Sequence, residues 1–114
     1  MEIRKWHIYL ADLNPRFGTE PGKLRPVVVI QTNLLNDAGH PSTLICPLTT
    51  QVIPKSKWLR IHLSKKEAGL NENSDILVDQ IRAIDNRRFK KMLASIDREN
   101  RLLLREALKV ILDL

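Results

Sequence analysis

The sequence predicts an α+β domain: a small, strongly bent antiparallel sheet or barrel with a helical C-terminus. Two observations support this. Short strand-like segments separated by turn residues fill the chain to about residue 85, and apolar residues recur at three- and four-residue steps only beyond that point. The 114 residues suit one domain, 1–114, because no linker, repeat or low-complexity segment divides them.

Five segments have the patterns of strands. They are Trp6–Leu13, Pro26–Gln31, Thr43–Thr50, Leu59–Leu63 and Asp75–Ile84. The second is β-branched and almost uniformly apolar, which predicts a strand covered on both faces. The third contains Pro47, which has no N–H to donate, so we expect that strand to lie at an edge or to carry a bulge there.

The other segments are loops, turns and helices. Residues 15–24 (PRFGTEPGKL) hold two Pro, two Gly and three charged residues, which predicts a loop of the kind that often carries function. Asn33–Ser42 has turn chemistry, and Asn86–Leu93 suits a short basic helix. A longer helix should begin at the N-cap Asp97. Its predicted apolar stripe, facing the sheet, consists of Leu102, Leu103, Ala107, Leu108, Ile111 and Leu112.

Positive charge is concentrated in the first part of the chain. Residues 1–65 hold nine Lys or Arg and four Asp or Glu, a net charge of +5, against +6 for the whole chain. Such an excess favours a polyanion or an acidic partner, although a solvated basic surface would explain it equally well.

Several protein classes are disfavoured by what the sequence lacks. Cys46 is the one cysteine, so no internal disulfide forms, which fits a reducing compartment. No apolar run approaches the roughly 18 residues of a membrane span. The N-terminus MEIRKWHIYLADL has no small-residue cleavage site of a signal peptide. We therefore expect a cytoplasmic protein with no membrane association.

The sequence contains no recognisable metal or cofactor motif. His7, His40 and His62 lie in three separate segments, without Cys, Asp or Glu at ligand spacing. We interpret His7 and His62 as structural histidines on strands and His40 as a solvated turn residue. No cofactor and no metal are expected.

Polar residues suited to phosphate chemistry gather around two strands. Arg25 opens the most apolar strand beside Pro26, which restricts the backbone, and a guanidinium stays charged and presents a planar fork of donors. Thr49 and Thr50 offer hydroxyls, and Glu20 is the nearest carboxylate in sequence. Taken singly, each has an ordinary explanation as a surface charge, a strand residue or half of an ion pair.

In combination, these residues form a recognisable pattern. The motifs, in order, are Tyr9–Pro15 (YLADLNP), Gly18–Glu20 (GTE), Arg25–Ile30 (RPVVVI), Pro47–Gln51 (PLTTQ) and Asp79–Asp85 (DQIRAID). Their order and spacing over nearly the whole chain resemble the MazF/PemK family. The sequence departs from that family at Lys5-Trp6, where Gly-Asp is usual, and at Pro21, where glutamine is usual.

The resemblance implies an SH3-like barrel with a C-terminal helix, an architecture shared with the CcdB toxins, and a homodimer. It further implies a toxin of a type II toxin–antitoxin pair, an mRNA interferase that cuts single-stranded RNA at short sequences without metal. The products would carry a cyclic phosphate and a free 5′-hydroxyl. The implied partner is an acidic antitoxin whose tail covers the RNA groove, which a basic surface would suit.

The resemblance also implies roles for individual residues. The family's catalytic arginine falls on Arg25, its catalytic threonine on Thr49, and its loop glutamate on Glu20, our candidate for the general base. Phe17 stands at the loop tip, where it either stacks on a base or packs locally. Further candidate RNA contacts are Arg16, Thr19, Lys23, Thr50, Gln51, Lys55 and Gln80.

Two other functions remain as alternatives. A CcdB-like toxin poisons DNA gyrase through its dimer surface and needs no arginine–threonine pair. A non-catalytic barrel would bind nucleic acid by charge alone, without turnover. The pair Arg25 and Thr49 argues against the first alternative, and the ordered motifs argue against the second.

Overall fold

The computed structural model describes residues 1–20 and 22–114, so Pro21 lies outside the described residues. The strands are β1 (His7–Asp12), β2 (Leu24–Val29), β3 (Ser42–Thr49), β4 (Arg60–Leu63), β5 (Ser74–Leu77), β6 (Arg82–Asp85) and β7 (Phe89–Ser95). The helices are α1 (Asn33–Asp37), α2 (Lys65–Ala68) and α3 (Arg98–Leu112), and two 3-10 turns span Val78–Gln80 and Asn86–Arg88.

The strands form one antiparallel sheet in the order β4-β5-β3-β2-β1-β7. Its bend centres on β3, because Ser42–Ile45 pairs with β6 whereas Leu48 and Thr49 pair with β5. Within the described residues, β4 and β7 end the sheet without pairing to each other, so it is bent but not closed. The predicted α+β class, with a strongly bent antiparallel sheet and a C-terminal helix, is confirmed.

The core lies on both faces of the sheet, and β2 contributes to each side. Val28 packs into a cluster with Leu104 of α3, whereas Val27 and Val29 pack into a second cluster around Tyr9. All three valines are fully buried, so the prediction of a strand covered on both faces is confirmed.

Two strand predictions need correction. Of the two alternatives predicted for Pro47, an edge strand or a bulge, the edge is wrong, because β3 pairs with β2 on one side and with β6 and β5 on the other. Pro47, which has no N–H to donate, stands in the two-residue gap between the β6-paired and β5-paired segments, where the ladder on that side is interrupted. The segment Asp75–Ile84 forms two strands and not one, because the 3-10 turn at Val78–Gln80 separates β5 from β6. Because of this turn, β5 pairs with the C-terminal part of β3 and β6 pairs with its N-terminal part.

The short basic helix predicted over Asn86–Leu93 is wrong, because most of this segment is strand β7, paired with β1. Phe89 is buried and packs edge-on against Tyr9 at a ring-centroid distance of 5.2 Å, while Lys90 and Lys91 stay exposed. Pairing with the free edge of β1 provides hydrogen-bond partners for the backbone of this segment and buries the ring of Phe89. These contacts override a local preference for helix.

Helix α3 begins as predicted, because the Asp97 side chain accepts a hydrogen bond from the Asn100 N–H at 2.9 Å. The predicted apolar stripe is only partly correct. Leu104 and Ala107 are the buried apolar residues, whereas Leu102 and Leu103 are about half exposed. The turn segment 33–42 also contains a short helix, α1, capped by the Thr32 hydroxyl.

Candidate functional site

Two predicted catalytic residues, Arg25 and Thr49, lie on neighbouring strands. β2 pairs with β3 so that Val27 stands opposite Pro47. Arg25 and Thr49 each lie two residues beyond this pair, at the same end of the two antiparallel strands. Residues two apart on a strand point to the same face, so both side chains project from one side of the sheet, where both line one groove.

The guanidinium of Arg25 is held by two backbone carbonyls. Its Nε donates to the carbonyl oxygen of Gly22 at 2.9 Å, and its Nη1 donates to that of Leu48 at 3.1 Å. Partial burial, with the nearby charge of Arg16, lowers the pKa of Arg25 from its usual value. These bonds fix the direction of a cation that is present at the groove before any ligand binds.

The loop before β2 approaches itself closely at Gly22. A Cβ there would lie 2.7 Å from the Cβ of Arg16, a separation too short for any side chain. Glycine therefore lets the loop fold tightly enough to bring Arg16 beside the groove and to aim the Gly22 carbonyl at Arg25.

The hydroxyl of Thr49 is available to a ligand as a donor. Its Oγ1 accepts a hydrogen bond from the N–H of Gln51 at 3.2 Å, so its own proton is left to point elsewhere. On the other side of β3, Thr49 pairs with Asp75 of β5. The threonine thus stands between the arginine of β2 and a carboxylate of β5.

The groove has a volume of about 580 Å³, within the roughly 300–1,000 Å³ range of ligand sites. Most of the predicted site residues line it: Arg16, Thr19, Glu20, Lys23, Arg25, Thr49, Thr50 and Gln51. A second groove adjoins the first through Thr19 and Arg60 and contains the predicted residue Gln80. The fold thus gathers residues from four separate motifs into one continuous surface.

Two predicted contacts, Phe17 and Lys55, lie outside both grooves. Phe17 is 67% exposed, so it contributes little to packing within the chain. Its carbonyl accepts a hydrogen bond from the N–H of Glu20 at 2.9 Å in the turn beside the first groove. Lys55 is also exposed, in the segment that follows β3.

Sequence reasoning missed Arg60 and Asp75. Arg60 lines both grooves and forms an ion pair with Asp75 at 3.1 Å. Asp75 is fully buried although it is charged, and it also bonds His62. The signal in the sequence was weak: Arg60 and His62 alternate with apolar residues in a strand, as do many exposed residues. His62 nevertheless has both ring nitrogens engaged, as predicted for a structural histidine.

The site is suited to a phosphate-bearing ligand. Four cationic side chains line the first groove, from Arg16, Lys23, Arg25 and Arg60, together with threonine hydroxyls and the carboxylate of Glu20. Among the residues that the structure describes, no group of three or more His, Cys, Asp and Glu side chains is arranged to hold a metal ion. No helix in the described ranges is long and apolar enough to cross a membrane.

Comparison with known proteins finds one family that matches nearly the whole chain. The profile of a family described as a PemK-like, MazF-like toxin of type II toxin–antitoxin systems matches residues 4–112. A curated relative, the protein named endoribonuclease MazF of Staphylococcus epidermidis, is 34% identical over 115 residues, covering 98% of this chain and 92% of the relative.

Solved structures share the fold. MazF (Form-I) of Deinococcus radiodurans aligns with a TM-score of 0.83 at 23% identity, covering 100% of this chain and 99% of that one. An endoribonuclease in complex with its cognate antitoxin, from a mycobacterial species, aligns with a TM-score of 0.76 at 14% identity, covering 99% and 95%. This chain belongs to the family of PemK-like and MazF-like toxins of type II toxin–antitoxin systems.

Proposed function

We propose that this protein is a sequence-specific, metal-independent endoribonuclease that cuts single-stranded RNA and acts as the toxin of a type II toxin–antitoxin pair. The observation that carries the proposal is the placement of Arg25 and Thr49 on one face of neighbouring strands, in a groove rich in cations. Its relative in Staphylococcus epidermidis is named an endoribonuclease.

In the proposed reaction, the 2′-hydroxyl of the RNA attacks the adjacent phosphorus, and the bond from phosphorus to the 5′-oxygen breaks. The 5′-oxygen takes up a proton from the solvent, so the products carry a cyclic phosphate and a 5′-hydroxyl. The protein's task is to orient the hydroxyl in line and to stabilise the charge that develops on the phosphorane. Arg25 binds the phosphate oxygens, and the hydroxyl of Thr49 donates a hydrogen bond to a phosphate oxygen. Glu20, in the same groove, accepts the proton of the nucleophile.

The remaining groove residues would bind the RNA around the cleaved phosphate. Arg16 and Lys23 contact neighbouring phosphates, and Thr50 and Gln51 offer polar groups to the bases. Gln80 reads a base in the adjoining groove. Phe17 and Lys55 lie outside the grooves and would contact RNA that extends beyond them, Phe17 by stacking on an unpaired base.

The proposal includes a partner, an assembly state and a location. An antitoxin with an acidic segment would cover the cationic groove, and one of the structural neighbours was solved in complex with its cognate antitoxin. The active protein is a homodimer that works in the cytoplasm, where its mRNA substrate is found.

A direct test is to incubate the purified protein with a long unstructured RNA in excess EDTA. The matched proteins are Arg25→Ala, Thr49→Ala and the control Arg87→Ala, whose side chain is exposed and lies outside the groove. We expect cuts at one short sequence for the wild type and the control, and none for the two groove variants. Primer extension maps the cuts, and resistance of the ends to ligation that needs a 5′-phosphate identifies the 5′-hydroxyl.

The same test separates the alternatives. Intact RNA from a protein that inhibits DNA gyrase would favour the gyrase-poisoning toxin. Intact RNA retained by the protein in a filter-binding assay would favour the non-catalytic module. Cuts that disappear in EDTA would contradict the metal-independent mechanism.

A further inference from the structure

A buried carboxylate beside the site plays no part in the mechanism described above. Asp75 is fully buried, and both of its oxygens are used. Oδ1 lies 2.6 Å from Nδ1 of His62, and Oδ2 accepts hydrogen bonds from the Ile53 N–H at 2.9 Å and from Arg60 Nη1 at 3.1 Å. A buried charge is stable only when it is paired and hydrogen-bonded, and these three partners meet that need. Asp75 in turn constrains each of the three partners.

All three contacts lead to one stretch of chain, the Gln51–Ser56 segment, which begins two residues after Thr49. Ile53 belongs to this segment and donates to Asp75 directly. Arg60 Nη1 also donates to the carbonyl of Gln51 at 2.7 Å, and Nε2 of His62 lies 3.0 Å from the carbonyl oxygen of Ser56. Asp75 and its two cationic partners therefore fasten the segment at three points.

The third of these contacts, between His62 and the carbonyl oxygen of Ser56, requires a positively charged imidazole ring. The two nitrogens of His62 face a carboxylate oxygen and a carbonyl oxygen, and both of these groups only accept hydrogen bonds. A neutral imidazole carries one N–H and would leave one of these contacts without a proton. The doubly protonated ring satisfies both. In agreement, the hydrogen bond to Asp75 raises the pKa of His62, outweighing the opposing effect of partial burial.

The charged groups that act on His62 are Asp75, which faces it from β5, and Arg60, which lies on the same strand. The first favours the charged ring and the second opposes it. The groove beside the ring is otherwise lined by uncharged residues, among them Val52, Pro54 and Asn73. The protonation state of His62 is therefore set mainly by one buried carboxylate.

The segment that these contacts hold forms part of the candidate site. The Gln51 N–H donates to the hydroxyl of Thr49, and Thr49 itself pairs with Asp75 across β3 and β5. Ile53 and Ser56 line the second groove together with Thr19, Gln80 and other residues. A segment that came loose would change both the partner of the Thr49 hydroxyl and the shape of the groove.

We infer that Asp75 is a positioning residue for RNA cleavage: through Arg60 and a protonated His62 it fixes the Gln51–Ser56 segment against the groove and so orients Thr49. The inference rests on the proposed endoribonuclease function. Because the pKa of His62 is raised on folding, its contact with Ser56 is complete below the ordinary value of 6.5 and is lost as the pH rises through the raised value.

The test uses His62→Gln, since this side chain is 41% exposed and its replacement is tolerated more easily than that of the buried Asp75. The control is His40→Gln, at an exposed residue that lines neither groove of the site. Single-turnover cleavage of an oligonucleotide carrying the mapped site is measured from pH 5.5 to 9, and the rate of each variant is divided by that of the wild type at the same pH. This ratio cancels the pH dependence of the chemical step.

We expect the His62→Gln ratio to be about 0.1 at low pH, as for loss of one hydrogen bond to a charged group, and to approach 1 at high pH, where the wild type has lost the same contact. The His40→Gln ratio should stay near 1 throughout. In NMR titrations of the wild type, the amides of Ile53 and Ser56 should shift with the same midpoint as the His62 ring, above 6.5.

A His62→Gln ratio that stays constant with pH, or that equals 1 at low pH, would overturn this inference while leaving the endoribonuclease proposal intact. Amides that do not titrate with the ring would overturn it as well. A wild-type protein that cuts no RNA would overturn both proposals, so the two failures are distinguishable.

Discussion

The guanidinium of Arg25 donates through Nη1 to the carbonyl oxygen of Leu48 at 3.1 Å, and Leu48 directly precedes Thr49 in β3. The carbonyl of Gly22 binds the same guanidinium from the loop side. The arginine is therefore oriented by the strand that carries the threonine as well as by the loop that carries Glu20. Donors fixed in advance need no reorganisation when charge develops on a substrate, which makes their geometry as important as their charge.

We predict that Arg25→Lys lowers the cleavage rate by about 10²- to 10³-fold, the usual effect of removing one preorganised donor at a reacting oxygen. Lysine keeps the charge, but its single ammonium group cannot bind both carbonyls and also present a planar fork to the phosphate. Single-turnover rates on the mapped oligonucleotide measure the effect. Arg87→Lys, at an exposed arginine paired with Asp85, is the matched control and should leave the rate unchanged. Full activity in Arg25→Lys would show that charge alone suffices.

The Thr49 hydroxyl should be required as a donor. Thr49→Val keeps the shape of the side chain but removes the hydroxyl, so we expect a loss of about 10²-fold in rate. Thr49→Ser keeps the hydroxyl, its bond from the Gln51 N–H and its free proton, and should stay within about tenfold of the wild type. Equal rates for Thr49→Val and Thr49→Ser would show that the Thr49 hydroxyl is not needed as a hydrogen-bond donor.

Glu20→Gln should lower the rate at every pH, because glutamine cannot accept a proton from the 2′-hydroxyl; the expected loss is about 10²- to 10⁴-fold. The control is Glu106→Gln in α3, where the exposed carboxylate pairs with Lys109 and lies outside both grooves. Both rates are recorded over the same pH range. If Glu20→Gln kept the wild-type rate across that range, another group would have to be the base.

The fold could be predicted from the sequence wherever a pattern is local and repeated. The valines of β2 and the N-cap at Asp97 are examples, and both are confirmed. β7 could not be predicted, since the run Lys90–Lys91 suits a basic helix and the free edge of β1 that recruits the segment is visible only in the folded sheet. The buried face of α3 also depends on the folded sheet, because Leu104 is fully buried whereas its apolar neighbours Leu102 and Leu103 stay about half exposed.

The residues of the candidate site also fall into two groups, those that the sequence could predict and those that only the fold brings to the site. Arg25, Thr49 and Glu20 belong to motifs with a recognisable order, so they could be proposed before the fold was known. Asp75 and Arg60 belong to no such motif. Their importance comes from the register of β5 with β3 and β4, which sets a buried carboxylate beside Thr49 and opposite His62. Strand register depends on contacts between distant segments, and no local pattern encodes it.

Cys46 should resist modification in the folded protein. Burial, assisted by the charge of Asp79, raises the pKa of the thiol to about 12, and the residue is fully buried. At pH 8 only about one thiol in ten thousand would be ionised, and the thiolate is the reactive form. We expect a disulfide reagent such as DTNB to react at least about 100-fold more slowly with the native protein than with the protein in urea. Similar rates in both conditions would show that Cys46 is accessible.

Asp97→Ala should destabilise the fold by about 1 kcal/mol, the usual effect of removing an N-cap. The Asp97 carboxylate accepts a hydrogen bond from the N–H of Asn100 at 2.9 Å, and α3 carries Leu104 and Ala107 into the core. Loss of the cap therefore weakens a helix on which one half of the core depends. Urea unfolding followed by circular dichroism gives the change in free energy. Asp97→Asn and Asp97→Ser keep an oxygen that can accept this bond, so each should lose much less stability; a loss equal to that of Asp97→Ala would contradict the capping role.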